Sequence, residues 1–353
     1  MTASPLVMLM SSNGAGMGHL TRLLAYAVRL PPPVRRYVLA MSQAVPVVSQ
    51  YGYRYEYLPS AGAVGMANSS WQPLFQERLE EIVGRVGPDL VVFDGTHPYA
   101  GMDVVRAAHP GTRWVWSRRG MWKPGRSADQ LAKASWFDEV IEPGDLAAPY
   151  DEGAAASALA YRVGPVTLAD PGDLLPREEA RARLGLPAQG RIGLISLGAG
   201  NINDTSGDVG AAAAALRHTG CGVAVTQVDI AREAVGGDVH AVRAYPLAPC
   251  YSAFDVVFAA AGYNSFHELL RLGIPTAFVP NRDTALDDQD ARSRYAADQG
   301  WAVRLDHVSV DAASAAIWTL LEHGSDMAAA AVGADPGNGA AEAAGRLVAV
   351  MGA

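Results

Sequence analysis

The chain has 353 residues, of which 50% are hydrophobic and 18% are charged, and its formal net charge is −8 at pH 7. This length allows two domains with cores of ordinary size, and the composition excludes a disordered chain. The acidic balance argues against general nucleic-acid binding, which requires an electropositive face. The two cysteines, Cys221 and Cys250, cannot form a disulfide framework and fit a reducing compartment. We see no cleavable leader and no apolar run of the ~20 residues that span a bilayer, so we expect a cytoplasmic protein.

A glycine-rich loop follows the first predicted strand, residues 6–10, and leads into His19 and a helix. Its glycines are Gly14, Gly16 and Gly18. They match a dinucleotide fingerprint only in part, because the last glycine comes early and no acid follows the second strand, residues 37–41. We therefore favour a loop that lets a substrate approach closely over a nicotinamide site. A lone histidine at a helix start is more often structural than catalytic, so the role of His19 depends on its neighbours.

Strand order predicts such a neighbour. Predicted strands at 6–10, 37–41, 53–58 and 90–93 alternate with helical patterns, which indicates a doubly wound half. In the common order 3-2-1-4, the fourth strand lies beside the first. The fourth strand ends at Asp94, so we expect His19 and Asp94 to meet at one crevice. A carboxylate there orients the imidazole and stabilises its protonated form.

The second half of the chain is predicted to repeat this architecture. Residues 142–176 are rich in Pro, Gly, Ala and Asp, and we place the domain boundary there, at residue 166. A strand at 191–197 then leads into a second glycine-rich turn, which contains Gly198, Gly200 and Asn201. Further strands are predicted near 221–227, 239–244, 255–261 and 276–280. The fourth strand again adjoins the first, which brings this turn opposite residues 262–265, a suitable place for a diphosphate.

Residues 254–280 have the pattern of strand, tight loop, helix, turn and strand. Gly262 permits a sharp turn, and Asn264 and Ser265 are good N-cap residues for a helix at 266–272. A helix that starts at the carboxyl end of a parallel strand directs free N–H groups at the crevice, and phosphate is the usual occupant of such a site. Glu268 lies about one turn into this helix, where its carboxylate can accept both hydroxyls of a ribose. A generic α/β unit with a capped helix would explain the same residues.

A basic and aromatic loop follows the predicted strand 113–117, which is unusual in an acidic protein. It contains Arg118, Arg119, Trp122 and Lys123. One interpretation is a solvated surface loop. The other is a surface that binds an acidic or phosphorylated acceptor or contacts anionic lipid. The sequence does not choose between these interpretations.

An Asp-x-Asp triplet, residues 288–290, suggests a divalent metal as in the GT-A glycosyltransferases. Metal sites need several convergent ligands, and the eight histidines of the chain show no ligand spacing. We therefore expect no metal in the reaction.

These motifs resemble those of GT-B glycosyltransferases. The order of the segments 262–270, 273–275, 278–280 and 288–289 is similar to the nucleotide-sugar site of the group that contains the N-acetylglucosaminyl transferase of peptidoglycan synthesis. Gly18 and His19 match the end of that group's first glycine-rich loop. The longer run through Arg22 is also similar to UDP-sugar hydrolases of pseudaminic acid synthesis, which share the fold.

The resemblance implies an α/β chain with the GT-B fold, in which two facing Rossmann-like, doubly wound domains enclose an interdomain cleft. Residues 1–166 would bind the acceptor and residues 167–334 the donor, and a helix in 335–353 would pack back on the first domain. The implied reaction is an inverting, metal-independent transfer of a sugar from a nucleotide sugar, UDP-linked, to an acceptor hydroxyl. His19 is then the base and Asp94 its orienting partner. The UDP-sugar is a co-substrate, and no further cofactor is expected.

The resemblance also assigns binding residues. Asp288 and Gln289 correspond to positions at the donor sugar's hydroxyls, and Tyr245 lies in a segment whose backbone contacts the nucleobase. The expected donor-binding residues are Gly198, Gly200, Asn201, Tyr245, Gly262, Asn264, Ser265, Glu268, Asp288 and Gln289. The expected acceptor-binding residues are Gly16, Gly18, Arg118, Arg119 and Trp122.

Two other functions fit the same motifs, a UDP-sugar hydrolase and a nucleotide-sugar-binding protein without catalysis. Retention of His19 and of the full donor pattern argues against pure binding. Residues 66–71 and 118–123 are expected to line the cleft of the first domain. Such a lining exceeds what one ordered water needs, which favours transfer to an acceptor over hydrolysis.

Overall fold

The computed structural model of the protein describes residues 4–12, 16–198, 205–226 and 239–352. In its first half, strands and helices alternate along the chain. In chain order they are β1 Leu6–Ser11, α1 Gly18–Arg29, β2 Arg35–Ala40, β3 Arg54–Tyr57, α2 Asn68–Val86, β4 Leu90–Asp94, α3 Met102–Ala108, β5 Arg113–Ser117, β6 Glu139–Pro143 and β7 Tyr161–Val163. Short 3₁₀ helices at 45–51, 128–136, 148–150 and 154–157 occupy the connections.

These strands form one parallel sheet in the order β3-β2-β1-β4-β5-β6-β7. The predicted neighbourhood of the first and fourth strands is confirmed. In the register of β1, β4 and β5, Ser11 pairs with Asp94 and Asp94 pairs with Ser117. The three residues end their strands side by side, so their side chains share the carboxyl edge of the sheet.

The second half repeats the pattern after a connection through residues 164–176. Its elements are α4 Arg177–Leu184, β8 Ile192–Ser196, α5 Ser206–His218, β9 Gly222–Thr226, β10 His240–Val242, β11 Val256–Ala260, α6 Tyr263–Arg271, β12 Thr276–Val279, α7 Gln289–Asp298, β13 Val303–Arg304, α8 Val310–Ala334 and α9 Ala340–Met351. Short 3₁₀ helices lie at 171–173 and 248–253. The second sheet is parallel with the order β10-β9-β8-β11-β12-β13, so β11 adjoins β8 as expected. Two doubly wound domains result.

The last helix, α9, belongs to the core of the first domain although it is last in sequence. Its buried face consists of Ala340, Ala343, Ala344, Leu347 and Val350. Small alanines at three- and four-residue spacing let α9 approach α1 closely. The chain therefore crosses between the domains twice. Within the described ranges, no helix has both the length and the apolar character needed to cross a membrane.

Candidate active site

His19 and Asp94 meet at the carboxyl edge of the first sheet, as strand order predicted. His19 is the second residue of α1, and Asp94 ends the neighbouring strand β4. The His19 Nδ1 atom lies 2.6 Å from Asp94 Oδ1. The hydroxyl of Ser117, from the next strand, donates to Asp94 Oδ2 over 2.7 Å. A hydrogen bond from Nδ1–H to this carboxylate leaves Nε2 as the proton-accepting nitrogen of the ring.

Arg22 completes this group, and sequence reasoning did not assign it a site role. Its Nε donates to Asp94 Oδ2 over 2.9 Å, and its Nη2 donates to Oδ1. Burial alone would raise the pKa of Asp94, but the Arg22 charge and the hydrogen bond from His19 outweigh it and lower this pKa to about 2. Arg22 follows His19 by three residues, so one helix face carries both side chains. This three-residue spacing could have predicted from the sequence that Arg22 lies beside His19.

The His19 imidazole is neutral at pH 7. Burial lowers its pKa from the ordinary value of 6.5, and the positive charges of Arg22 and Arg119 lower it further. Asp94 raises the pKa of His19, but its effect is smaller than the combined lowering effects. The side chain keeps 16% of its surface exposed, so one edge of the ring stays open to a ligand. A neutral imidazole with a partly open Nε2 can accept a proton from an incoming hydroxyl.

The donor side of the site lies where β11 ends and α6 begins. Gly198 follows the adjacent strand β8 and has φ +101, a backbone conformation that glycine adopts readily. The first-turn N–H groups of α6 lie beyond the reach of the helix's own carbonyls, and that turn contains no acidic residue. The edge is therefore suited to an anion. Gly200 and Asn201, expected opposite this turn, lie outside the described residues.

The start of α6 differs from the prediction. The helix begins at Tyr263, with Gly262 as its N-cap, so Ser265 lies inside the first turn and is not a cap. Gly262 has φ −66 and ψ 152, which is open to any residue, so the sharp turn does not explain this glycine. The helix starts early because the Tyr263 hydroxyl is anchored, donating to Gly144 O over 2.8 Å and accepting from Val166 N over 2.9 Å.

Asn264 joins the two halves of the site. Its Nδ2 donates to the carbonyl of Gly18 over 3.2 Å, while its Oδ1 is buried without a partner among the described residues. The amino ends of α1 and α6 therefore face each other across the domain boundary. Gly18 lies at that boundary, and Gly16 is exposed beside it. A donor phosphate at α6 would lie close to His19.

Glu268 lies one turn into α6 and is 9% exposed. Burial raises its pKa to about 7, against smaller opposing effects of the Leu168 backbone N–H and of Arg271. Arg271 lowers the pKa of Glu268 only slightly because it forms a bidentate ion pair with Asp335, with nitrogen–oxygen distances of 2.7 and 2.8 Å. Glu268 thus retains hydrogen-bonding capacity for a ligand, as a ribose-binding carboxylate requires.

The other expected donor residues are partly engaged in structure. The Tyr245 hydroxyl and the Thr21 hydroxyl of the first domain are 2.9 Å apart, so this side chain points to the domain contact. Asp288 caps α7 by accepting from Ala291 N over 2.9 Å. The Gln289 Oε1 accepts from Asn281 N over 3.1 Å, and a methyl group at position 262 would lie 3.7 Å from its Nε2. Gln289 therefore borders the start of α6.

Two residues of the basic and aromatic loop that were expected to bind the acceptor, Arg118 and Trp122, are buried in the structure. Arg118 is 1% exposed and donates to Glu142 over 2.7 Å. Trp122 is 2% exposed, and its indole N–H donates to Arg119 O over 3.0 Å. Arg118 is buried against Glu142 and Trp116 of its own domain, and Trp122 packs in the core of the first domain together with Leu286 of the second, which no local pattern reveals.

We call this contact the interdomain clasp, formed by residues 119–123 and 282–288. Lys123 N donates to Leu286 O over 2.7 Å, and Asp288 N donates to Met121 O over 2.9 Å. This antiparallel pairing links the first domain directly to the loop that precedes the donor motif at 288–289. The Lys123 ammonium adds bonds to two carbonyls of the same loop.

A buried charge network supports the clasp and was missed from sequence. Arg119 and Arg292 both donate to Asp287 Oδ1 over 2.5 Å, and Arg292 Nε donates to Asp145 over 2.7 Å. Arg119 and Asp145 come from the first domain, whereas Asp287 and Arg292 come from the second. Arg119 is the one expected acceptor residue of the loop that also affects His19, through its charge. Among the described residues, no three His, Cys, Asp or Glu side chains are grouped as in a metal site.

Comparison with known proteins agrees with this architecture. Residues 211–332 match the glycosyltransferase family 28 C-terminal domain. No curated protein sequence matches the chain.

Solved structures resemble the chain along its whole length. Spinosyn forosaminyltransferase SpnP is 15% identical with TM-score 0.70, covering 98% of this chain and 99% of its own. MurG of Acinetobacter baumannii is 15% identical with TM-score 0.63, at the same coverage. The glycosyltransferase VinC in complex with dTDP is 16% identical with TM-score 0.62, again covering 98% and 99%. The chain thus has the GT-B fold, and residues 211–332 of its second half match a glycosyltransferase family 28 C-terminal domain.

Proposed function

We propose that the protein transfers a sugar from a UDP-linked donor to an acceptor hydroxyl, with inversion at the anomeric carbon and without a metal. One observation carries the proposal. The His19–Asp94 pair of the first domain lies against the amino end of α6 in the second, where the Asn264 side chain reaches Gly18 O over 3.2 Å. A base and an anion site therefore face each other across the domain boundary.

In the proposed reaction, His19 Nε2 takes the proton of the acceptor hydroxyl as its oxygen attacks the anomeric carbon. The bond from that carbon to the diphosphate oxygen breaks, and UDP leaves with the bonding electrons. Asp94 holds the Nδ1–H and stabilises the imidazolium that forms. The first-turn N–H groups of α6 offset the negative charge that grows on the leaving diphosphate.

We expect inversion because the base and the anion site belong to different domains, on opposite sides of the cleft. The acceptor enters from the side of His19, in the first domain, and the diphosphate departs toward α6, in the second. A single displacement with attack and departure on opposite faces inverts the configuration. The acceptor oxygen is the nucleophile, so no protein side chain has to attack the anomeric carbon.

We assign stabilisation of the leaving group to α6 and not to a metal because the Asp-x-Asp carboxylates have other roles. Asp288 caps α7. Asp290 accepts from Arg282 over 2.9 Å and from Arg304 over 3.1 Å. Ion-paired carboxylates of this kind would have to give up their arginines to bind a cation.

The lining of the first-domain cleft differs from the one expected from the sequence. Burial of Arg118 and Trp122 removes them from the lining of the cleft, so the extent of that lining no longer decides the point. The same burial removes the support for contact with anionic membranes through this loop. Transfer now rests on the family 28 domain, and hydrolysis becomes an outcome of the test.

The test combines binding and turnover. Calorimetry with UDP and dTDP establishes whether a nucleotide binds and which base is preferred. UDP release from UDP-glucose and UDP-N-acetylglucosamine is then followed with and without a panel of hydroxyl acceptors, for wild type and His19→Ala. We expect UDP to bind, slow release without acceptor, and acceleration by a suitable acceptor that His19→Ala abolishes. Rapid acceptor-independent release that requires His19 would identify a hydrolase, and nucleotide binding without turnover would support a binding protein.

A further inference from the structure

Arg22 is placed between the base and the donor side of the site. It is 3% exposed, and both sides of its guanidinium group contact Asp94, through Nε to Oδ2 over 2.9 Å and through Nη2 to Oδ1. The Nη2 atom also lies 3.1 Å from His19 Nδ1. Because Arg22 has so little exposed surface, its effect on a substrate must pass through these neighbours.

The second domain completes the environment of Arg22. Its guanidinium carbon lies 5.1 Å from the ring centre of Tyr263, the first residue of α6. Tyr263 is itself fixed, because its hydroxyl bonds to Gly144 O and Val166 N. One arginine therefore touches the base, its carboxylate and the helix that is proposed to hold the diphosphate.

We propose that Arg22 is a positioning residue, which fixes the Asp94 carboxylate so that His19 keeps Nδ1–H as the donor and Nε2 as the base. Its catalytic meaning rests on the proposed function. The bidentate contact restrains both oxygens of Asp94 and hence the direction of the hydrogen bond between Oδ1 and His19. Without it, the carboxylate is held only by the Ser117 hydroxyl and by His19 itself, so its rotation about the bond to Cβ would carry the imidazole with it. Lysine, with a point charge, cannot provide the same fork.

The charged groups around His19 determine the direction in which its pKa should change when Arg22 is replaced. They are Asp94 on β4, Arg22 on the same helix and Arg119 in the loop after β5. Asp94 raises the pKa of His19, and the two arginines lower it. Removing the Arg22 charge therefore raises this pKa. Because only the neutral imidazole can act as a base, the acid limb of the pH–rate profile would move to higher pH by the same amount.

The experiment compares Arg22→Met, Arg22→Lys and a matched control, Arg181→Met, in the full-length protein. Arg181 is also a buried arginine, but it lies in α4 of the second domain and donates mainly to backbone carbonyls. NMR of protein labelled in its histidine rings follows the titration of His19, assigned by its loss in His19→Ala. The same spectra report the low-field proton of the Nδ1–H bonded to Asp94. This readout requires no substrate.

In Arg22→Met we expect the pKa of His19 to rise and the Nδ1–H signal to broaden or disappear. The kcat with a UDP-sugar should fall about 10- to 100-fold while its KM stays within about twofold. Arg22→Lys should keep the pKa of His19 near wild type and still lose part of kcat. Arg181→Met should lower the Tm without changing either signal of His19.

An unchanged pKa and Nδ1–H signal in folded Arg22→Met would overturn the proposal. If that variant does not fold, Arg22→Lys tests the proposal instead. Wild-type kcat and an unchanged Nδ1–H signal in Arg22→Lys would exclude a role for the bidentate guanidinium contact. Failure of the proposed function has a separate signature, which is normal turnover by His19→Ala. Loss of turnover in His19→Ala with no effect of either Arg22 substitution would overturn the positioning role alone.

Discussion

Replacing Glu268 by glutamine is expected to weaken donor binding and to stabilise the folded protein. In wild type this carboxyl is 9% exposed, and burial raises its pKa from 4.5 to about 7. Between these pH values the folded protein keeps the proton that the unfolded chain has released. Stability therefore falls as pH rises through this window, by about 3 kcal/mol in all. Glutamine removes the cost, so Glu268→Gln should have the higher Tm at pH 8.

Donor affinity is expected to fall in Glu268→Gln, although the stability of the folded protein rises. An ionised Glu268 that accepts two ribose hydroxyls contributes about 1–3 kcal/mol, so the Kd of the donor should rise about 5- to 150-fold in Glu268→Gln and in Glu268→Ala. Binding to the ionised form also makes affinity depend on pH. With a pKa of about 7, the Kd in wild type should rise about tenfold from pH 8 to pH 6. In Glu268→Gln the Kd should stay flat over this range.

The assay is calorimetry with UDP-glucose, whose diphosphate is esterified at both ends. UDP itself is a poorer probe because its terminal phosphate titrates near pH 6. Thermal unfolding of the same samples at pH 6 and 8 supplies the stability arm. Equal Kd values for wild type and a folded Glu268→Gln would refute the ribose assignment. An unchanged Tm at pH 8 would refute the burial argument.

Three further substitutions test the rest of the site. His19→Ala should lower kcat by about 10²–10⁴-fold and leave the Kd of UDP within about twofold, because His19 lies in the other domain; a kcat near wild type in steady-state assays would contradict the base assignment. Arg118→Met leaves Glu142 with only the half-exposed Arg162, so it should destabilise the protein by about 3 kcal/mol in urea unfolding, whereas a surface loop would give a change near zero. Asp287→Asn removes the carboxylate shared by two arginines of the clasp, and we expect about 3–5 kcal/mol of destabilisation; wild-type stability in the same assay would show that the clasp is dispensable.

Much of the sheet edge that holds His19 and Asp94 was predictable from the sequence. Apolar strands that alternate with helices allow few arrangements, and the order 3-2-1-4 brings the fourth strand beside the first. That rule alone brought Asp94 to His19, now 2.6 Å apart, and β11 to β8 in the second domain. The position of Glu268 about one turn into α6 was likewise predictable, because it follows from helix geometry.

What the sequence left open depends on how the two domains meet. Arg118 and Trp122 belong to a loop that looks exposed by composition, but Arg118 is buried against Glu142 on a neighbouring strand and Trp122 packs with Leu286 of the second domain. The raised pKa of Glu268 and the lowered pKa of His19 likewise come from burial and from charges that other elements bring close. Local pattern fixes which face of an element is polar, but desolvation and ion pairing are decided by whatever packs against that face. Only the tertiary structure brings Arg22 against Tyr263 and thereby connects the His19–Asp94 pair to α6.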